Sequence, residues 1–265
     1  MTDPDRHRPR PARLARLPEQ YFKGILAAAA RAAAEPGAPF IDLGRGNPDI
    51  PPPPHAIDAL RDTASHTTVD VHGYPPFGGH AELRAAIAHR YAVDHGVEID
   101  PDREVAVVPG TKTGIMLASL ATASDGDAVL LPDPGYPDYP SGVALAGATA
   151  GALPLEASTG WQPDFDLAGA ERPAAVWLNY PSNPCAACEH PGTFERAVAW
   201  CRERDAWLIH DLAYGFLAFD GRRARSVLEA DGARERSLEL WSPSKIYGMA
   251  GWRVGFAVGL SLIHI

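Results

Sequence analysis

The chain has 265 residues, 46% hydrophobic and 22% charged, with a formal net charge of −9. That profile suits one large α/β domain with a substantial core, or two small domains. The acidic balance argues against nucleic-acid binding, and no apolar run resembles a membrane span or a signal-peptide core, so a cytoplasmic protein is expected. Residues 1–16 are rich in Arg and Pro, lack apolar periodicity and are expected to be disordered.

A helix is predicted from about Glu19, where Tyr21, Phe22, Ile25, Leu26 and Ala29 recur at helical spacing; Pro36-Gly37 ends it. Phe40 to Leu43 reads as a brief strand entering the turn Gly44-Arg45-Gly46-Asn47-Pro48-Asp49. A dinucleotide loop is excluded there, because the third glycine is missing and Pro51 to Pro54 follow. The turn-rich loop His72 to Gly79 contains Tyr74 and leads into a helix with Leu83, Ala86, Ile87 and Tyr91 on one face, stopped by Gly96. Strand Val105 to Val108 then meets Pro109-Gly110-Thr111-Lys112, and a helix follows through Ile115, Leu117, Ala118 and Ala121. Strand, glycine turn and helix N-terminus make a generic phosphate site, since the first helical amides are free to face an anion; the Gly-Lys-Ser/Thr order of a P-loop is absent.

Strand Val129 to Leu131 ends in Pro132-Asp133-Pro134-Gly135-Tyr136-Pro137-Asp138-Tyr139, where prolines on both sides fix the direction of Tyr136, an aromatic able to stack on a flat ring. Strand Ala174 to Leu178 runs into Asn179-Tyr180-Pro181-Ser182-Asn183-Pro184. Cys185 and Cys188 form a C-x-x-C with His190 behind it, but a zinc site needs a fourth ligand and usually a second pair, so no metal is expected. A helix from about Pro191 to Arg204 turns Phe194, Ala197, Val198 and Cys201 inward, and strand Ala206 to Ile209 delivers His210-Asp211-Leu212-Ala213-Tyr214. Asp211 therefore sits where α/β sheets place functional groups; hydrolase chemistry is not supported, because no Gly-x-Ser-x-Gly elbow exists. Strand Leu238 to Trp241 is followed by Ser242-Pro243-Ser244-Lys245 and a glycine-rich run to Arg253. A lysine at the edge of a core has a lowered pKa and is nucleophilic toward carbonyls, while hydroxyls and a guanidinium suit a phosphate dianion. A reactive lysine beside a phosphate cradle is what pyridoxal 5′-phosphate (PLP) requires.

The segment Ser242-Pro243-Ser244-Lys245-Ile246-Tyr247-Gly248-Met249-Ala250-Gly251-Trp252-Arg253-Val254-Gly255-Phe256 closely resembles the lysine segment of the class I/II aminotransferases of PLP fold type I, in the aspartate aminotransferase superfamily. Four further blocks, around Gly46, Tyr74, Tyr136 and Asn183 to Asp211, resemble the same family in its order over about residues 40–259. The alternation of strands and helices gives a three-layer α/β/α domain around a mostly parallel sheet, and the resemblance implies seven strands. It further implies that Lys245 binds PLP and acts as the catalytic base, that Asp211 pairs with the pyridinium nitrogen, and that Tyr214 and Asn183 donate to the phenolic oxygen. Tyr136 stacks on the ring. Thr111, Lys112, Ser242, Ser244 and Arg253 hold the phosphate, with Tyr74 reaching the phosphate of the neighbouring subunit in a homodimer. Gly46 and Asn183 contact the substrate. The family has Thr-Gly after Asn-Pro, where this chain has Cys185-Ala186, so the turn of that loop is expected to differ.

The activity so implied is ping-pong transfer of an amino group from an amino acid to a 2-oxo acid. A β-lyase or decarboxylase of the same fold, or a non-catalytic PLP-binding regulatory module, are the alternatives. The expected organisation is residues 17–50 as N-terminal helix and substrate-contacting segment and 51–259 as the PLP domain. Residues 260–265 do not continue the family pattern and read as a truncation scar, with a C-terminal small domain and its carboxylate-binding arginine missing.

Overall fold

Seven strands form one sheet in the order β1-β7-β6-β5-β4-β2-β3 in a computed structural model that describes residues 11–19, 21–37, 39–44 and 46–259. The N-terminal part of the predicted disordered tail, 1–10, and the predicted scar, 260–265, lie outside the described residues.

Helices α1 (Ala12–Ala15), α2 (Tyr21–Ala34), α3 (Pro54–Ser65), α4 (Val69–His72) and α5 (Ala81–His95) precede the sheet. Two expectations are corrected here. Residues 11–16 are not wholly irregular, since they carry α1, and the Arg16 guanidinium donates to the Gly147 carbonyl at 2.7 Å. Phe40 to Leu43 is not a strand: it has no ladder partner among the described residues, and its one local tie is Gly44 N–H to Asp42 Oδ1 at 2.8 Å. An extended apolar stretch becomes a strand only when a neighbour takes its backbone bonds. The prolines at 51–54 do more than break the chain, because Pro54 starts α3, where its missing N–H costs no bond.

The α/β alternation then runs β1 (Val105–Val108), α6 (Thr111–Thr122), β2 (Ala128–Asp133), α7 (Tyr139–Leu145), β3 (Thr149–Pro154), β4 (Ala175–Asn179), α8 (Thr193–Glu203), β5 (Trp207–Asp211), β6 (Ser237–Trp241) and β7 (Gly255–Gly259). Strands β3, β2, β4, β5 and β6 pair in parallel, and β7 is antiparallel to both β6 and β1.

The strand period of two divides the core. Leu130, Val176, Leu178 and Leu208 join Ile87 and Tyr91 of α5 and Phe194, Ala197 and Cys201 of α8 on one face. Val129, Leu131, Trp177, Ile209 and Leu240 join Ile115 and Ala118 of α6 and Tyr139 and Val143 of α7 on the other. His210 and Asp211, adjacent on β5, therefore face opposite layers. No helix among the described residues is long and apolar enough to cross a membrane.

Candidate active site

A cleft of about 1300 Å³ opens where β4, β5 and β6 end, with one wall supplied by Tyr21, Phe22, Ile25 and Leu26 of α2. The expected residues Gly46, Thr111, Lys112, Tyr136, Asn183, Asp211, Tyr214 and Lys245 all line it. Lys245 lies four positions beyond Trp241, the last residue of β6. Its Nζ donates to the Gly46 carbonyl at 3.3 Å and stands 5.9 Å from the centroid of the Tyr214 ring. Burial holds its pKa below the ordinary lysine value, which favours the neutral, nucleophilic amine. Asn183 Nδ2 reaches the Tyr214 hydroxyl at 3.3 Å, so two hydrogen-bonding groups stand together near the amine. Burial raises the Tyr214 pKa, and the Asn183 bond opposes that.

Asp211 forms the floor. Its Oδ2 accepts from the Tyr139 hydroxyl at 2.9 Å and its Oδ1 from Ala213 N–H at 3.1 Å. Burial lifts its pKa above the usual carboxylate value, against the lowering effect of those two donors. Tyr139 was not singled out in the sequence. It is buried, with its ring tilted 32° at 5.0 Å from Trp177 and edge-on at 5.4 Å to Tyr136. Asn179, also unanticipated, ties the loop to the floor: its Nδ2 donates to the Asp211 carbonyl at 2.8 Å, and its Oδ1 accepts from Asn183 N–H at 2.7 Å. The only available signal for either residue was its place in a quoted block at a strand end.

At the other end of the cleft, the bonds of α6 begin with Thr113 and Gly114 N–H on the Gly110 carbonyl. The Thr111 and Lys112 amides are thus the free donors of a helix start. Gly110 is required here twice over: its φ is +82°, and a side chain would collide with the Arg253 guanidinium. Arg253 donates to the carbonyls of Pro109 (3.2 Å) and Ala250 (2.8 Å), and it has no carboxylate within ion-pair distance among the described residues. The donor set therefore fits PLP: an amine for the aldehyde, a carboxylate for the ring nitrogen, donors for the phenolic oxygen, and amides with a guanidinium for the phosphate.

The residues are not all brought together. Ser242 is buried: its hydroxyl donates to the Val254 carbonyl at 2.7 Å and also contacts Ser244 Oγ at 2.6 Å. Because its single proton goes to Val254, it organises the lysine loop, and Ser244 donates to it. Neither serine nor Arg253 lines the cleft itself, and Tyr74 is fully exposed away from it. Among the described residues, no three His, Cys, Asp or Glu side chains could share a metal ion.

A second buried cluster supports the site from behind. Glu239 on β6 accepts from Tyr91 Oη (2.7 Å), Ser226 Oγ (2.9 Å), Val227 N–H (2.9 Å) and His210 Nδ1 (2.7 Å). His210 Nε2 donates to the Tyr180 carbonyl at 3.1 Å. One hydrogen-bonded pair thus links the strands that lead to Asn183, Asp211 and Lys245. Burial alone would raise the Glu239 pKa, but His210 and Tyr91 outweigh it and hold the carboxyl below its ordinary value.

Comparison with known proteins places the chain in a family and a fold. The family model "Aminotransferase class I and II" matches residues 38–263, running past Gly259. The chain is 42% identical over 246 residues to transaminase BacF of Bacillus subtilis, covering 92% of this chain and 61% of that protein. It is 41% identical over 254 residues to an LL-diaminopimelate aminotransferase of Desulforudis audaxviator, covering 93% and 63%. A substrate-bound BacF structure superposes with a TM-score of 0.88 at 37% identity, covering 97% of this chain and 66% of that one. A Thermus thermophilus aspartate aminotransferase double mutant gives 0.87 at 27%, with coverages of 97% and 66%. The chain thus spans somewhat over 60% of the length of these curated relatives. It belongs to the class I and II aminotransferase family.

Proposed function

We propose that the protein of which this chain is the whole or a part is a PLP-dependent aminotransferase, moving an amino group from an amino acid to a 2-oxo acid by a ping-pong mechanism. What carries the reading is the convergence on one cleft of the Lys245 amine, the Asp211 carboxylate, the Asn183–Tyr214 pair and the start of α6. PLP, when bound, would supply the electron sink that makes a substrate Cα proton removable. Lys245 Nζ would hold the aldehyde of the cofactor and would be the base that takes and returns the Cα proton. Asp211 keeps a proton on the ring nitrogen, and Tyr139 holds its carboxylate in place. Asn183 and Tyr214 orient the phenolic oxygen. The Thr111 and Lys112 amides and Arg253 anchor the phosphate. Tyr74, fully exposed and absent from the lining of this cleft, is assigned to the phosphate of a neighbouring subunit, and we take the working unit to be a homodimer.

The test is simple because the sequence has three lysines, Lys23, Lys112 and Lys245. PLP is added, the product is reduced with borohydride, and the peptides are mapped by mass. A visible absorbance band with the label on Lys245 supports the proposal; a label spread over all three lysines overturns it. Amino-acid turnover that depends on an added 2-oxo acid separates amino transfer from elimination or decarboxylation, which need no acceptor.

A further inference from the structure

Two cations flank the start of α6, and their partners differ. Among the described residues, Arg253 hydrogen-bonds only backbone carbonyls. Lys112 Nζ instead lies 2.8 Å from Asp138 Oδ2, the same oxygen that accepts the Tyr136 hydroxyl at 2.8 Å. The Asp138 side chain is 9% exposed whereas that of Lys112 is 58% exposed. A lysine with so much access to water could extend into solvent. A buried carboxylate, by contrast, is costly unless paired, so the carboxylate fixes the lysine rather than the reverse.

We propose that Asp138 is a positioning residue: it neutralises Lys112, leaving the phosphate's charge to Arg253 and the helix amides, and couples that ammonium to the ring of Tyr136. This rests on the PLP reading above. The Tyr136 ring is then held at two points, by its hydroxyl on Asp138 and by its edge-on contact with Tyr139. With Lys112 cancelled, the cradle keeps one net cation against a dianion, and the helix amides supply the rest of the stabilisation.

The test compares PLP with pyridoxal, which has the same ring and aldehyde but no phosphate, in absorbance titrations of the 265-residue chain. Asp138→Asn leaves an oxygen for Tyr136 but releases Lys112. The ratio of PLP to pyridoxal affinity should rise about two- to fivefold, the scale of one added charge near the surface. Asp138→Asn combined with Lys112→Met restores neutrality, and the ratio should return to that of the unmodified chain. Asp138→Ala removes the acceptor for Tyr136 as well, and pyridoxal itself should bind at least about threefold more weakly, the loss of one modest hydrogen bond. A double variant whose ratio falls tenfold below the unmodified chain would mean Lys112 already balances the phosphate, and the inference would be overturned. An unmoved ratio in Asp138→Asn, or equal weakening of both aldehydes, would also overturn it while leaving the cofactor assignment intact. If the unmodified chain bound neither aldehyde at Lys245, the cofactor assignment would fail and this inference with it.

Discussion

The Tyr139 hydroxyl donates to Asp211 Oδ2 at 2.9 Å, joining two residues 72 positions apart beneath the floor of the cleft. The bond stabilises the ionised carboxylate, opposing the upward push of burial on the Asp211 pKa. Tyr139→Phe keeps the ring against Trp177 but removes that donor. A hydrogen bond to a charged group is worth about 1.5–3 kcal/mol, so the Asp211 pKa should rise further. The acid limb of PLP binding should move to higher pH, and thermal stability at neutral pH should fall with the lost bond. An acid limb that stays in place would show that Tyr139 only fills space.

The Glu239–His210 pair makes a different prediction, about stability. Four groups donate to the Glu239 carboxylate, and its pKa is held below the ordinary carboxylate value because His210 and Tyr91 outweigh burial. Glu239→Gln turns one acceptor oxygen into a donor facing other donors. Breaking a buried pair in this way costs about 3–5 kcal/mol near neutral pH. A depressed carboxylate pKa contributes stability that is complete above the unfolded value, about 4.3, and is lost as pH falls through the folded one. The stability gap between parent and variant should therefore be wide at pH 7 and begin to shrink as pH falls below the unfolded value, about 4.3. Urea unfolding at pH 7 and below that value measures it, and an equal gap at the two would refute the assignment.

These two relationships show where sequence reading stops. Lys245, Asn183 and Tyr214 lie a few residues past a strand and Asp211 closes one, each in a block whose residue types suit one cofactor, so their meeting in one cleft was legible. Tyr139 and Glu239 were not. A tyrosine three residues before a helical glycine and a glutamate between two leucines carry no local mark, and their meaning comes from partners 72 and 29 positions away. The fold behaved similarly. Parallel strands with continuous apolar runs, such as β4 and β5, were predicted to within a residue or two. Strand β3, with the burial pattern of an edge and only Thr, Ala, Gly, Leu and Pro, passed unnoticed because its period is weak. Phe40 to Leu43 misled in the opposite direction, having strand composition without a neighbour to pair with.

The three cysteines separate by burial. Cys201 is completely enclosed on the inner face of α8, and its thiol is pushed up to about 12 by that burial; Cys185 and Cys188 are partly exposed in the loop after Asn183. A thiol-specific disulfide reagent at pH 8 should modify two cysteines in the folded chain and the third only after denaturation. Three equivalents reacting at once in the native protein would contradict the packing of α8 against β5. Prior occupation of the cleft by PLP should slow Cys188 more than Cys185, because Cys188 lines the cleft.

Lys245 is the amine on which the functional reading depends, and its titration can be read without a substrate. Burial is the only cause shifting it, and the shift is downward from 10.5. No carboxylate lies within ion-pair distance of it among the described residues, so nothing restores the charged form. The neutral amine is therefore populated at lower pH than for an ordinary lysine, and reactivity toward an aldehyde should follow. Brief reductive methylation across pH 7 to 10, quantified peptide by peptide, should show Lys245 approaching its plateau first. Widening the cleft mouth by Phe22→Ala and Ile25→Ala on α2 should admit water, raise the Lys245 pKa and move its profile toward that of an exposed lysine. If Lys245 titrated together with the exposed lysines in the parent chain, its burial would not be what activates it, and the source of its reactivity would have to be sought in the bound cofactor.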